Sequence, residues 1–163
     1  MFNLGSDVTE SFQITDLDRR ILELLQRDAS TSMADLADSV GSSSATCWRR
    51  IRALEEAGIL GPQIRLVDPH KVGRKMDVFC QVRMKSQDAE TRAGFKRAVE
   101  LEPTIVTAYS ISGEWDYLLH LLVRDMADFE DILMRRVLEH EAVAATNTIF
   151  ALSRVKYATE VPV

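Results

Sequence analysis

The sequence has little of what marks a membrane, secreted or metal-bound protein. Its 163 residues contain no apolar run of membrane-spanning length, and the first residues lack the basic and apolar regions of a signal peptide. Only two cysteines occur, Cys47 and Cys80, each inside a periodic apolar pattern. Buried thiols in a reducing compartment are therefore expected, and with them a cytoplasmic protein; a redox switch at Cys47 is the alternative. His70, His120 and His140 stand singly, with no metal-ligand spacing and no C-x-x-C, so no metal is expected. With seven glycines there is no phosphate-binding loop, and neither a nucleophile elbow nor a nucleophile–base pair is suggested by spacing. A non-enzyme is expected. A surplus of positive charge is missing too. The net charge is −5, with ten Lys/Arg against eleven Asp/Glu over residues 1–75 and ten against fourteen over 76–163. This argues against a protein that coats nucleic acid through its overall field, and any DNA contact must come from a local patch.

What the chain does contain is a well-bounded helix over residues 42–58, SSSATCWRRIRALEEAG. Ser43 suits the N-cap and Gly58 the left-handed residue that ends a helix. Cys47, Ile51 and Leu54 form an apolar stripe, and Trp48 beside it is expected to join the core. Ser42, Ser43, Thr46, Arg49, Arg50 and Ala53 share another face, with short hydroxyls, two guanidinium groups and little bulk. Such a face suits close approach to a polyanion, although a solvated helix face has the same composition. Arg52 projects away from it, toward Glu55 or Glu56.

The preceding residues supply context. Residues 1–14 show no period and read as a mobile lead-in. A helix over 16–27, capped by Thr15 or Asp16, carries Leu17, Ile21, Leu24 and Leu25 on one face. A second, capped by Ser32, carries Met33, Leu36, Ala37 and Val40. Gly41 allows the sharp turn into the third helix, completing a helix-turn-helix in which the last helix enters the major groove of double-stranded DNA. Ile59 and Leu60, a Gly61-Pro62 turn and residues 64–67 read as a hairpin wing, with Arg65 placed to touch a phosphate. The DNA-binding domain is thus expected over 15–67 and a linker over 68–75, where Asp68-Pro69 starts a short helical turn closed by Gly73.

Residues 76–163 read as β-α-β-β-α-β. Strands are expected over 77–84, 105–111, 115–123 and 143–157, with helices after Asp88 and Asp125. That order predicts a ferredoxin-like α+β domain, one sheet with both helices on one side. Its open face would expose apolar residues unless a second copy covered it, so a homodimer is expected.

The motifs LDRRILELLQRDAS, ADLADSVG, TCWRRIRALEEAGIL, LVDPHKVG and SGEWDYLL, in this order, resemble the Lrp/AsnC family of transcription regulators over about residues 15–160. The resemblance implies a winged helix-turn-helix joined to a ferredoxin-like effector (RAM) domain, in dimers that assemble to tetramers or octamers. It implies a cytoplasmic, nucleoid-associated protein and an amino-acid effector, such as cysteine, leucine or another small amino acid, bound at the interface of C-terminal domains. CWRR and KYATEVPV are more similar to the branch of amino-acid-catabolism and cysteine-detoxification regulators than to the global leucine-responsive member. By position, the resemblance assigns DNA contact to the third helix and effector contact to Gly113, Glu114, Trp115 and Asp116, with Thr146 and Thr148 lining the same pocket. Gly113 would expose backbone N–H groups to an α-carboxylate, and Asp116 would accept from an α-ammonium. The bland alternatives are a hairpin-capping Asp116 and plain sheet threonines. Where many relatives carry prolines and an apolar residue around the start of the third helix, this chain has Ser42, Ser44 and Thr46, whose hydroxyls suit phosphate contact directly. A ligand-binding protein of the same fold that has lost DNA binding is the rival reading.

Overall fold

Three capped helices build the N-terminal part. In the computed structural model, which describes residues 12–163, α1 is Asp16–Arg27, α2 Met33–Val40 and α3 Ser44–Glu56. Of the expected lead-in, residues 1–11 lie outside the described residues. Each helix starts on a hydroxyl: Thr15, Ser32 and Ser43 accept from the backbone N–H groups of Asp18, Asp35 and Thr46, which would otherwise be orphaned in the first turn. Gly41, at φ 64°, takes the left-handed conformation that turns the chain from α2 into α3. Ile21, Leu36, Ala37, Val40 and Cys47 form the buried centre, with Leu17, Leu24, Leu25, Met33 and Ile51 packed around it. This is the core the helical spacing predicts.

The expected wing differs. Residues 61–68 form no strand. The N–H groups of Ile59 and Leu60 both donate to the Leu54 carbonyl, at 2.9 and 3.1 Å, so they close α3 instead of entering a ladder. Pro62 has no N–H and a fixed φ, which suits a two-residue hairpin turn poorly. Ile64, Leu66 and Val67 stay exposed, and Gln63 instead donates to the Ala29 carbonyl at 2.9 Å.

The remainder is a four-stranded antiparallel sheet, β1 Met76–Met84, β2 Ile105–Ser110, β3 Tyr117–Val123 and β4 Val143–Phe150, in the order β2-β3-β1-β4. The helix α4, Ala89–Leu101, follows β1; α5, Met126–Ile132, follows β3 and continues as a π-helical stretch, Leu133–Leu138. Alternation sorts the two faces. Val78, Cys80, Val82 and Met84 of β1 and Tyr117, Leu119, Leu121 and Val123 of β3 join Phe95, Phe129, Ile132 and Val137 of the helices in one core. Both helices therefore cover one side of the sheet. On the other side Phe79 stacks on His120 at 4.7 Å, and Phe79 pairs with Ile149 while Leu118 pairs with Tyr109. Tyr109 is 58% and Ile149 47% exposed, so the uncovered apolar face expected from the strand pattern is present.

Three strands are shorter than expected, β2 by one residue, since it ends at Ser110. β3 begins at Tyr117 because Trp115 and Asp116 belong to the preceding turn. β4 ends at Phe150 because β1, its partner among the described residues, begins at Met76: after the Ala151 N–H bonds the Asp77 carbonyl, one residue of β1 remains. By contacts the chain divides into two units, Met1–Arg65 with Lys156–Val163, and Leu66–Val155. By contacts the last eight residues thus group with the helical unit. Gln26 grips the tail, donating to the Val161 carbonyl and accepting from its N–H, and Arg27 meets Glu160 at 3.4 Å.

Candidate nucleic-acid interface and effector loop

The exposed side of α3 is set by which side its core residues occupy. Cys47 and Leu54 are buried and Ile51 packs beside them, which leaves Ser44, Ala45, Trp48, Arg49 and Arg52 facing outward. Trp48 is 58% exposed, which corrects the expectation that it joins the core. The neighbouring Cys47 fills the inward position at that level of the helix, and the next residue round is turned out by about 100°. Arg52 pairs with Glu55 at 3.2 Å, one of the two partners expected. Among the described residues Arg49 is exposed and has no ion-pair partner.

Arg50 does something the spacing did not reveal. Its Nε and Nη2 donate to the two carboxylate oxygens of Asp18, at 2.7 and 2.6 Å, and Asp18 is fully buried. Thr15 completes the shell, donating its N–H and hydroxyl to Asp18 Oδ2 at 2.8 and 2.7 Å. The ring of Phe12 lies 5.2 Å from the guanidinium carbon. The Arg50 hydrogen bonds, supported by those of Thr15, outweigh desolvation and hold the Asp18 carboxyl down at about 2. Arg50 is therefore a brace between α1 and α3, with its guanidinium fork committed to Asp18. Thr15 as a cap was visible in the sequence; its reciprocal bond with Asp18, and the partner of Asp18 32 residues away, were not.

The other expected contact residues are spread around the start of α3. Ser43 caps the helix and donates to the Thr46 hydroxyl at 2.9 Å, so its hydroxyl is taken up within the cap. Ser44 is exposed, Ser42 and Ala53 are half-buried, and Arg65 is exposed in the irregular segment after α3.

In the second unit, the turn between β2 and β3 is closed by the Ile111 N–H donating to the Asp116 carbonyl at 2.9 Å. Gly113 sits at φ 116°, a conformation that a side chain would strain. Arg83 covers the turn, its guanidinium carbon 5.5 Å from the Trp115 ring centroid and its Nη1 3.8 Å from Glu114. Asp116 is the anchor: its carboxylate accepts from the Met84 N–H at 2.7 Å and from Gln87 at 2.5 Å, while its own N–H donates to the Val82 carbonyl. One oxygen thus holds the loop to the end of β1 and the other to the residues just after it, and each retains a lone pair for a further donor. Thr146 and Thr148 lie opposite Val82 and Cys80, on the helix-covered side of β4, with β1 between them and the loop. Burial raises the Cys80 thiol to about 11 despite a hydrogen bond with Thr148. The structure thus assembles residues 113–116 into one braced turn and places the threonines two strands away.

Comparison with known proteins decides the family. A family model described as the Lrp/AsnC ligand binding domain matches residues 77–161, and one for a winged helix-turn-helix DNA-binding domain matches 14–60. The chain belongs to the Lrp/AsnC family. It is 33% identical over 150 residues to the glutamate uptake regulatory protein of Zymomonas mobilis, covering 92% of this chain and 91% of that one. To the DNA-binding transcriptional activator DecR of Escherichia coli it is 31% identical over 147 residues, covering 90% and 97%. A regulator from Neisseria meningitidis, solved in complex with L-Met, superposes with a TM-score of 0.87 at 28% identity over 92% of this chain and 97% of its own. This Lrp/AsnC protein is accordingly a DNA-binding transcription regulator with a C-terminal ligand-binding domain, and the helix-turn-helix and α+β readings stand. Its relatives are regulators, which fits a non-enzyme. Among the described residues no helix is long and apolar enough to cross a membrane.

Proposed function

We propose that this protein regulates genes of amino-acid metabolism, binding duplex DNA through the exposed face of α3 and responding to an amino acid held at the turn of residues 113–116. One observation carries the reading: the Asp116 carboxylate ties that turn to Met84 at the end of β1 and to Gln87 just beyond it, while keeping lone pairs for an α-ammonium in the same turn as Gly113. The L-Met complex of the Neisseria regulator supports an amino acid as the class of effector. In this reading a second copy covers the apolar sheet face, the effector sits where C-terminal domains meet, and dimers assemble further to tetramers or octamers. The effector then favours one arrangement of subunits and so changes which half-sites are reached together. It shifts that equilibrium only by its difference in affinity for the two arrangements.

The test is a thermal-shift screen of the full-length protein against each standard amino acid, repeated with Asp116→Ala. At a hundred times its dissociation constant, the effector stabilises the fold by about 2.7 kcal/mol. The reading expects one or a few amino acids to raise the melting temperature, and the variant to lose that rise while keeping effector-free DNA binding. An equal rise in the variant would remove Asp116 from the site.

A further inference from the structure

The face of α3 that meets solvent is not the face its arginines suggested, and this changes what it can read. Between Asp38 and Glu55 the chain carries three arginines and no acidic residue, so the first three turns of α3 suit a polyanion. Two of those arginines are already engaged, Arg50 with buried Asp18 and Arg52 with Glu55. That leaves Arg49 and, next to it, the exposed indole of Trp48, with small Ser44 and Ala45 one turn earlier. Small residues there permit close approach of the helix to a groove floor.

Resting on the assignment of α3 as the DNA-reading helix, we propose that Trp48 is a specificity-determining residue whose indole packs on a thymine C5-methyl group in the major groove, beside a guanine read by Arg49. The chemistry of the two partners matches. Among the base edges of the major groove, the thymine methyl is the apolar feature, while the rest are hydrogen-bond donors and acceptors. Indole offers a broad apolar face and one N–H donor but no acceptor, so it fits a methyl group with a purine acceptor or thymine O4 nearby. Arg49 supplies the bidentate fork that guanine N7 and O6 accept. The adjacent side chains would then read neighbouring base pairs, one by shape and one by hydrogen bonds.

The experiment selects duplexes from a random library with the full-length protein, with Trp48→Ala and with Trp48→Phe. Thymine at the preferred position is then replaced by deoxyuridine, which removes only the methyl group. Wild type should lose about fourfold in affinity at that one position, the worth of one buried methyl group. Trp48→Ala should be insensitive to the replacement and lose the thymine preference, with Trp48→Phe between the two. Because the side chain is exposed, the thermal melts of the variants should match wild type. Retention of the preference and the deoxyuridine penalty by Trp48→Ala overturns the proposal. So does a loss of affinity equal on all duplexes with that penalty intact, which places the indole on the sugar-phosphate backbone. A change of oligomeric state in Trp48→Ala with unchanged base preference overturns it too, because a second copy then covers the indole. If wild type selects no duplex at all, the DNA reading of α3 falls and this proposal falls with it.

Discussion

Asp18 and Arg50 show how one buried ion pair can set the orientation of a binding helix. An isolated carboxylate with no exposure would cost several kcal/mol, but here four hydrogen bonds from Thr15 and Arg50 compensate it. Arg50 keeps 26% side-chain exposure, so the pair is only partly withdrawn from solvent. Removing one charge leaves the other poorly paired. Asp18→Asn is therefore expected to destabilise the helical unit by up to about 3 kcal/mol, read from urea unfolding at neutral pH. The sign with pH follows from the direction of the shift. The folded carboxyl sits at about 2, below its ordinary value of 3.8, so its stabilisation is complete above the ordinary value and is lost as pH falls toward 2. Wild type should show an acid limb in that window, and the variant should lack this part of it. An identical limb in both would mean that the pair does not form. Arg50→Ala should weaken DNA binding only indirectly, by loosening α3.

At the scale of elements, α3 presents to solvent a face different from the one its sequence suggests. Arg49 is the cation of that face without an ion-pair partner among the described residues, and Arg49→Ala is expected to cost about 1–3 kcal/mol of site affinity, measured by fluorescence anisotropy. Unchanged affinity would take Arg49 off the interface. Helix limits were legible because caps and apolar spacing are local signals: Thr15, Ser32, Ser43 and Asp88 start helices where their side chains predict. The order of strands and helices was legible for the same reason. Three features were not. Trp48 went astray because an apolar stripe on a short helix leaves its flanking residue ambiguous, and Cys47 took the inward place. The Arg50 brace depends on a partner distant in sequence. The hairpin expected over 59–67 does not form because the capping of α3 uses the N–H groups that it would need, a competition that alternation of residues does not reveal. At the effector turn the glycine–acid–aspartate pattern was readable, whereas the bonds from Met84 and Gln87 to Asp116 depend on where β1 ends.

For the whole molecule, the uncovered sheet face is the feature that a single copy leaves unexplained. Phe79, Tyr109, Leu118 and Ile149 lie there around His120, which sits 2.7 Å from Asp77. Asp77 also accepts from Arg154 at 2.9 Å. Burial raises the Asp77 carboxyl, and the Arg154 and His120 hydrogen bonds more than offset it, so it remains ionised within this apolar surround. If a second copy covers the face, Ile149→Glu buries an unpaired charge and should weaken self-association at least about tenfold in sedimentation equilibrium, without unfolding the monomer. Self-association that survives the change would move the interface elsewhere. The central claim joins the two units: a DNA-reading helix whose occupancy an amino acid controls. Its most direct test is a fluorescence-anisotropy titration of the DNA upstream of the protein's own coding region, over a salt series and with each amino acid in turn. The account predicts tight binding that weakens steeply with salt and shifts with one or a few amino acids. Binding that no amino acid alters would contradict the coupling, and absence of binding both here and to a random duplex library would contradict the DNA reading itself.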